Sequence, residues 1–356
     1  MLNTNKHLVI ATGGTGGHIF PGIVISQYFK SIGWQVSWIG CSNRMEKIIV
    51  PKFGINIKFI EINNFYLKNL YIKKILFALD IFKAIKKTRN ILYYWKPNIV
   101  LCMGNYISIP TAIAAKTMNI PIIIHEQNAI VGKANKLISI FAKRCTQAFP
   151  NTIKNATVVG NPIRSEILNI PKPIIRLKNR TGIIRVLVLG GSQGASILNK
   201  VMPIVTKVLK EKIIVWHQVG YGYYNLVKHT YNTLSINNIK ITEFITNIAL
   251  AYSWADIVIC RSGALTVSEL AVVGLPSILV PYIHKDQQQY FNATLLVKVS
   301  AAIIVKQTDF TPDKIINILL SINRQKLFTM ACCAQTIATY NSPQYIVKEV
   351  NNVIKY

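Results

Sequence analysis

The chain reads as an α/β protein built from two doubly wound, Rossmann-like parallel-sheet domains, and three observations predict this. Short apolar runs of strand length alternate with longer helical stretches along most of the sequence. Two of these runs lead into glycine turns: 8–11 enters GGTGGH at 13–18, and 186–189 enters GGSQGAS at 190–196. The length of 356 residues suits two domains of ~150 residues better than one.

Each half then repeats the same grammar. After 8–11, the first half offers strands at 36–40, 57–60, 99–103 and 121–125. After 186–189, the second offers 213–217, 239–244, 256–260 and 276–280. Between the halves, Pro162, Pro171 and Pro173 mark a linker. The expected division is a first domain over 1–161, a linker over 162–184, a second domain over 185–340, and a C-terminal helix over 341–356 returning toward the first domain.

Composition narrows the function classes. Lys and Arg number 41 against 13 Asp and Glu, a formal charge of +28, which invites a nucleic-acid reading. Only 15% of residues are charged while 51% are hydrophobic, so this is a folded protein poor in acids rather than a basic tail. No nucleic-acid module or aromatic-interleaved basic patch occurs, so no nucleic-acid partner is expected. The wealth of Lys, Asn and Ile also fits A- and T-rich codons. Six cysteines at 41, 102, 145, 260, 332 and 333 show no CxxC spacing and read as free thiols of a reducing compartment. The first residues flow straight into a strand with no signal-peptide pattern, and no apolar run reaches eighteen residues.

Neither glycine turn fits the stricter phosphate motifs. In GxGxxG terms Ile19 stands where the third glycine belongs in the first turn, and Ser192 replaces the middle one in the second. No Gly-Lys-Ser/Thr follows either. What remains is a pair of turns at helix N-termini, whose amides and dipole favour an anion, or which simply allow tight strand-to-helix packing. The second half adds a dense constellation: Glu243 to Ile245, Arg261 to Glu269, and His284 to Gln289. These polar residues follow strands, where ligands of open α/β sheets bind. Glu269 suits the hydroxyls of a ribose or, with Thr266, the T-x-x-E spacing of a capping box.

Seven segments carry a resemblance that spans nearly the whole chain: GGTGGHIFPG (13–22), HEQNAIVGKAN (125–135), VGNPIR (159–164), GGSQGASILN (190–199), TEFI (242–245), CRSGALTVSE (260–269) and HKDQQQYFNA (284–293). In this set and order the sequence resembles the MurG family of peptidoglycan N-acetylglucosaminyltransferases. The resemblance implies a GT-B fold with two Rossmann-like domains facing a cleft. It implies inverting transfer of GlcNAc from UDP-GlcNAc to the C4 hydroxyl of MurNAc in undecaprenyl-diphospho-MurNAc-pentapeptide. It also implies action at the cytoplasmic face of the bacterial inner membrane, with room for other cell-wall synthesis proteins as partners. On the donor side it implicates Thr15, Gly16, Gly17, Asn128, Arg164, Ser192, Ile245, Ala264, Leu265, Thr266, Val267, Ser268, Glu269, Gln288 and Gln289. Ile245 and Ala264 would frame the uracil, Glu269 the ribose, and Gln288 and Gln289 the GlcNAc hydroxyls. Tyr106, Asn135, Asn199 and Arg261 match acceptor or cleft positions.

The residues are consistent with that chemistry. No Asp-x-Asp occurs, so no metal or other cofactor is expected, and the departing UDP would lean on helix-terminal amides and a cation. Arg164 is the natural cation, the alternative being a surface ion pair. His18 is the first choice of general base, with an ordinary pKa near ~6.5, and Glu126 is the second. The plainer reading of His18 is a helix-start hydrogen bond to its loop, and His125 reads as structural. The chain departs from the family at 104–110, where Asn105 and Ile109 replace glycines, and around 63–68, where a glycine-rich pattern is missing.

A polyprenyl acceptor requires contact with a bilayer, and 70–96 is the segment that suits it. Ile72, Ile75, Leu76, Leu79 and Phe82 recur at helical spacing among Lys73, Lys74, Lys83, Lys86, Lys87 and Arg89. The apolar stripe is expected to pack on the sheet, with the basic residues facing either water or an anionic membrane surface. The competing activity is another GT-B-like UDP-GlcNAc enzyme such as a 2-epimerase.

Overall fold

The computed structural model describes residues 6–14, 16–61, 70–236 and 239–354, without the side chains of 70–77. Thr15, the 63–68 loop, and the side chains of Ile72, Lys73, Lys74, Ile75 and Leu76 therefore lie outside the described residues. The chain divides into two compact units, one of residues 1–164 and 341–356, the other of 165–340.

In the first unit the elements run β1 (His7–Ala11), α1 (Gly16–Ser31), β2 (Gln35–Gly40), α2 (Glu46–Ile49), β3 (Asn56–Phe59), α3 (Leu70–Trp95), β4 (Ile99–Cys102), α4 (Ser108–Thr117), β5 (Ile122–Glu126), α5 (Lys133–Ile138), β6 (Arg144–Gln147) and β7 (Thr157–Val158). The sheet is parallel in the order β3-β2-β1-β4-β5-β6-β7. Strands β1, β4 and β5 are buried throughout, which is why they read as unbroken apolar runs. β6 and β7 escaped the sequence reading because RCTQ and a two-residue TV carry no such run.

The second unit contains α6 (Ser165–Leu168), α7 (Pro173–Arg176), β8 (Ile184–Leu189), α8 (Ser196–Val208), β9 (Ile213–Gln218), α9 (Tyr224–Thr233), β10 (Ile239–Thr242), α10 (Ile248–Trp254), β11 (Ile257–Cys260), α11 (Ala264–Val273), β12 (Ser277–Leu279), α12 (Gln288–Lys298), β13 (Ala302–Ile304), α13 (Pro312–Leu320) and α14 (Arg324–Gln335). Its parallel sheet has the order β10-β9-β8-β11-β12-β13. In both sheets the order reverses beside the strand that enters a glycine turn, β1 in one and β8 in the other. That switch point is where doubly wound sheets bind ligands.

The last helix, α15 (Ser342–Ile354), belongs to the first unit, where Ile346, Val350 and Val353 join the cluster of Leu8, Ile10 and Trp38. The Ser342 hydroxyl donates to the Gly160 carbonyl at 2.8 Å. Residues 165–184, read from the sequence as most of a linker, are instead bound into the second unit. Arg176 donates to the carbonyls of Ala255, Val273 and Gly274. Arg180 and Arg324 flank the buried Asp256 carboxylate at 2.8 and 2.9 Å. The prolines there open and stiffen a short helix against a domain surface.

Helix α3 corrects the expected packing. Its stripe does not all face the sheet, for Leu79 and Phe82 are 51% and 67% exposed. The buried face is Asp80, Ala84, Thr88 and Leu92, packed beside α4. Small residues at 84 and 88 permit close approach, and Thr88 satisfies its hydroxyl on the Ala84 carbonyl at 2.7 Å. All six cysteines are free thiols. Among the described residues no helix is long and apolar enough to cross a membrane.

Candidate active site

In the first unit, β1 ends at Ala11 and the chain turns through Gly13 and Gly14 into α1, which opens with Gly16 and Gly17. The first N–H groups of a helix lack intrahelical partners, so Gly16 and Gly17 present amides at the strand end. One turn in, half-buried His18 places Nδ1 3.1 Å from the Met103 carbonyl. A carbonyl only accepts, so Nδ1 is the donor, and in the neutral ring the lone pair lies on Nε2. The tie differs from the plainer sequence reading, for the ring bonds the chain just after β4 rather than its own glycine loop.

The 104–110 loop after β4 stands alongside. Asn105 adopts φ 67° and donates Nδ2 to the Gly13 carbonyl at 2.6 Å, so the departure from glycine supplies a bond as well as a tolerated backbone. The Tyr106 hydroxyl donates to Cys41 Sγ at 3.3 Å, and burial together with Cys41 pushes its pKa up to about 12. Tyr106 is thus a neutral hydroxyl.

Glu126 ends β5 and is 2% exposed. Oε1 accepts the Asn128 backbone and side-chain N–H groups at 3.0 and 3.2 Å, and Oε2 accepts Gly132 N–H at 3.0 Å and Asn135 Nδ2 at 2.9 Å. Asn135 also reaches the His125 carbonyl at 3.1 Å. The HEQN segment is therefore a loop wound around one carboxylate, with Asn128 and Asn135 among its ties. Arg164, which closes the first stretch of this unit, lies over the Phe20 ring of α1 at 5.2 Å.

In the second unit, the turn after β8 packs on the end of β9. Gly220 has φ 90°, and any Cβ there would overlap the Gly194 backbone, so this approach requires glycine. The Ser192 carbonyl accepts Tyr221 N–H at 3.1 Å, and Asn199 is buried with Nδ2 on the Val219 carbonyl at 3.0 Å. Asn199 thus braces this turn from α8.

Helix α11 starts beside β11, with Gly263 as its N-cap and Ala264, Leu265, Thr266, Val267 and Ser268 as its first residues. Thr266 lies inside the helix, which removes the capping-box reading of Glu269. Glu269 is 5% exposed and accepts the Tyr252 hydroxyl at 2.9 Å. Arg261 turns onto the Val280 carbonyl at 3.0 Å and over the Tyr282 ring at 5.4 Å. Gln289 Oε1 accepts Tyr282 N–H at 2.9 Å, its carbonyl accepts the Ser262 hydroxyl at 2.7 Å, and Gln288 N–H caps onto Asp286 at 3.2 Å. Gln288 and Gln289 thus open α12 close to the start of α11. Ile245 and Ala264 are buried at 7% and 8% exposure.

Sequence reasoning missed two features. Tyr252 follows no motif, and only the fold brings it to Glu269. Tyr221 and Phe244 stack at 5.7 Å and 13°, both exposed beside Ser192; the aromatic in TEFI was the available signal. Among the described residues, no three His, Cys, Asp or Glu side chains gather as a metal-holding group.

Residues 8–147 match the glycosyltransferase family 28 N-terminal domain and 185–344 the family 28 C-terminal domain. A relative from Baumannia cicadellinicola subsp. Homalodisca coagulata is 49% identical over 347 residues, covering 97% of each chain. One from Proteus mirabilis (strain HI4320) is 46% identical over 361 aligned positions, covering 100% of each. Both are named UDP-N-acetylglucosamine–N-acetylmuramyl-(pentapeptide) pyrophosphoryl-undecaprenol N-acetylglucosamine transferase. The crystal structure of MurG from Acinetobacter baumannii matches with a TM-score of 0.86 and 31% identity, over 98% of this chain and 99% of that one. A UDP-GlcNAc 2-epimerase from Neisseria meningitidis, at 13% identity and a TM-score of 0.67, shares the fold alone. With two family 28 domains in a GT-B fold and this identity along its full length, the chain belongs to the MurG family of glycosyltransferases.

Proposed function

We propose that the protein moves GlcNAc from UDP-GlcNAc to the C4 hydroxyl of MurNAc in undecaprenyl-diphospho-MurNAc-pentapeptide, with inversion at the anomeric carbon. The observation that carries the mechanism is the hydrogen bond of His18 Nδ1 to the Met103 carbonyl. With Nδ1 held by the Met103 carbonyl, the ring is oriented and Nε2 is the nitrogen left to accept a proton, as a general base must. It takes the C4 hydroxyl proton as the oxygen attacks the GlcNAc anomeric carbon. The bond from that carbon to the UDP oxygen breaks, and its electron pair leaves with the diphosphate. Glu126, the alternative base, already accepts four N–H bonds and instead orders the acceptor-side loop.

Most donor contacts are assigned to the second unit. Ser192 and the opening turn of α11 meet the diphosphate and nucleoside, buried Glu269 takes the ribose hydroxyls, and Gln288 and Gln289 take the sugar. Arg164 supplies the cation for the departing UDP, Gly16, Gly17 and Asn128 add further UDP-GlcNAc contacts, and Asn199 is an acceptor-side residue. Tyr106, Asn135 and Arg261 shape the acceptor region.

The acceptor's lipid places the work at the cytoplasmic face of the bacterial inner membrane, and the outward face of α3 supports that reading. At 3.6 residues per turn, Leu79, Phe82, Lys83, Lys86 and Tyr93 share one side, flanked by Lys87 and Arg89, and all are exposed. Each basic group near an anionic leaflet contributes about 1 kcal/mol.

The test supplies radiolabelled UDP-GlcNAc and a lipid-linked muramoyl acceptor in metal-free buffer. Labelled lipid product is expected. No transfer by the parent protein, strict metal dependence, or a new nucleotide sugar formed from UDP-GlcNAc alone would overturn the reading.

A further inference from the structure

The first glycine turn is held from two sides by residues outside the chemistry assigned above. Glu46, the first residue of α2, is fully buried. Its Oε2 accepts Gly14 N–H at 3.2 Å and its Oε1 accepts Cys41 N–H at 3.0 Å, so one carboxylate ties the turn after β1 to the residue after β2. A buried carboxylate is costly unless donors are organised around it. The chain clears room for this one: a Cβ on Gly13 would overlap Oε1, and a Cβ on Gly40 would stand 2.9 Å from Cγ. From the other side Asn105 Nδ2 holds the Gly13 carbonyl, Oδ1 accepts Tyr106 N–H at 2.6 Å, and a Cβ on Gly14 would overlap Nδ2. The same stretch, two residues earlier, offers the Met103 carbonyl that orients His18. Gly13 and Gly14 are thus gripped between Glu46 and Asn105, immediately before the helix turn that carries the imidazole.

We propose that Glu46 and Asn105 are positioning residues for the transfer, fixing the first glycine turn and through it the place where His18 meets the acceptor hydroxyl. This rests on the transferase reading above. The variants are Glu46→Gln, which sets an NH₂ against one of the two N–H donors, and Asn105→Gly, which removes the Nδ2 bond while keeping the left-handed backbone unstrained. In the full-length protein, hydrogen exchange of the 12–18 amides is followed beside kcat and KM for each substrate. Faster exchange in 12–18 is expected in both variants. Acceptor kcat/KM should fall about tenfold in Glu46→Gln and about threefold in Asn105→Gly. The loss should be larger for the acceptor than for UDP-GlcNAc, most of whose contacts are assigned to the other unit. Parental exchange with parental acceptor kinetics in a folded variant would overturn the proposal. So would equal losses for donor and acceptor that track a lowered melting temperature, the signature of general destabilisation. If Glu46→Gln fails to fold, Asn105→Gly decides alone. If the parent transfers no sugar, the transferase reading fails, and the exchange data still report whether the two residues set the turn.

Discussion

Two fully buried imidazoles, one in each unit, make the fold sensitive to acid. His125 in β5 donates Nδ1–H to Thr146 Oγ1 at 3.1 Å, because that hydroxyl already donates to the Ile124 carbonyl. Burial pushes its pKa down to about 4, outweighing a hydrogen bond with Asn161 that works the other way. His217 in β9 lies 3.0 Å from the Tyr231 hydroxyl, and burial lowers its pKa to about 3. Both start from an unfolded value near ~6.5. Between the folded and unfolded values the unfolded chain binds more protons, so stability rises with pH there and is lost as pH falls below ~6.5. At pH 5 each imidazole removes about 2 kcal/mol relative to neutral pH. The two lie in different units, so each unit is expected to carry its own acid-sensitive loss.

Urea titrations at pH 7.5, 6 and 5, read by tryptophan fluorescence, measure this. In the first unit buried His7, whose pKa burial also lowers, adds to the same loss, so the second unit gives the cleaner reading. The transition of the second unit should weaken by about 2 kcal/mol from pH 7.5 to 5. His217→Gln should flatten the acid limb of the second unit alone, whatever its cost at neutral pH. If His217→Gln remains as acid-sensitive as the parent in that transition, buried neutral histidine is not the cause.

Replacing His18 with Ala should lower kcat by about 10²–10⁴-fold with little change in KM for UDP-GlcNAc, measured by label transfer at saturating acceptor. Glu269→Ala should raise KM for UDP-GlcNAc by about tenfold or more, and Tyr252→Phe by a few-fold, since the latter removes only the bond that orients the carboxylate. Asp256→Asn leaves Arg180 and Arg324 facing a neutral amide and should destabilise the second unit by about 3–5 kcal/mol in the same urea assay. Sedimentation with anionic liposomes should fall on raising salt and fall further in a Leu79→Ser, Phe82→Ser double variant. Binding indifferent to both would remove α3 as the membrane contact.

Much of the fold and of the site lay open in the sequence because its signals are local. Alternating apolar runs, glycine turns and strand-end polar residues identified two doubly wound sheets and the segments that would carry ligands. His18, Glu126, Ser192 and Glu269 all emerged from those segments. Their partners did not, for Met103, Tyr252 and Glu46 come from other elements, and no spacing in the chain announces such contacts. The capping-box reading of Thr266 gave way for the same reason, and the ring of donors around Glu126 is why His18 is the proposed base. Whether a carboxylate is open to a proton or encircled by amides depends on neighbours supplied by folding.

Helix α3 and residues 165–184 mark the same boundary at the level of packing. The sequence by itself determined that 70–95 is helical with interleaved apolar and basic residues, and that prolines interrupt 162–173. Only the tertiary structure decided that the helix is rotated to bury Ala84 and Thr88 while Leu79 and Phe82 face outward, and that Arg176 and Arg180 bind the proline segment into the second unit. Periodicity defines a helix face without saying which face meets the sheet. That choice follows from which side chains let two backbones approach and which leave every buried polar group with a partner.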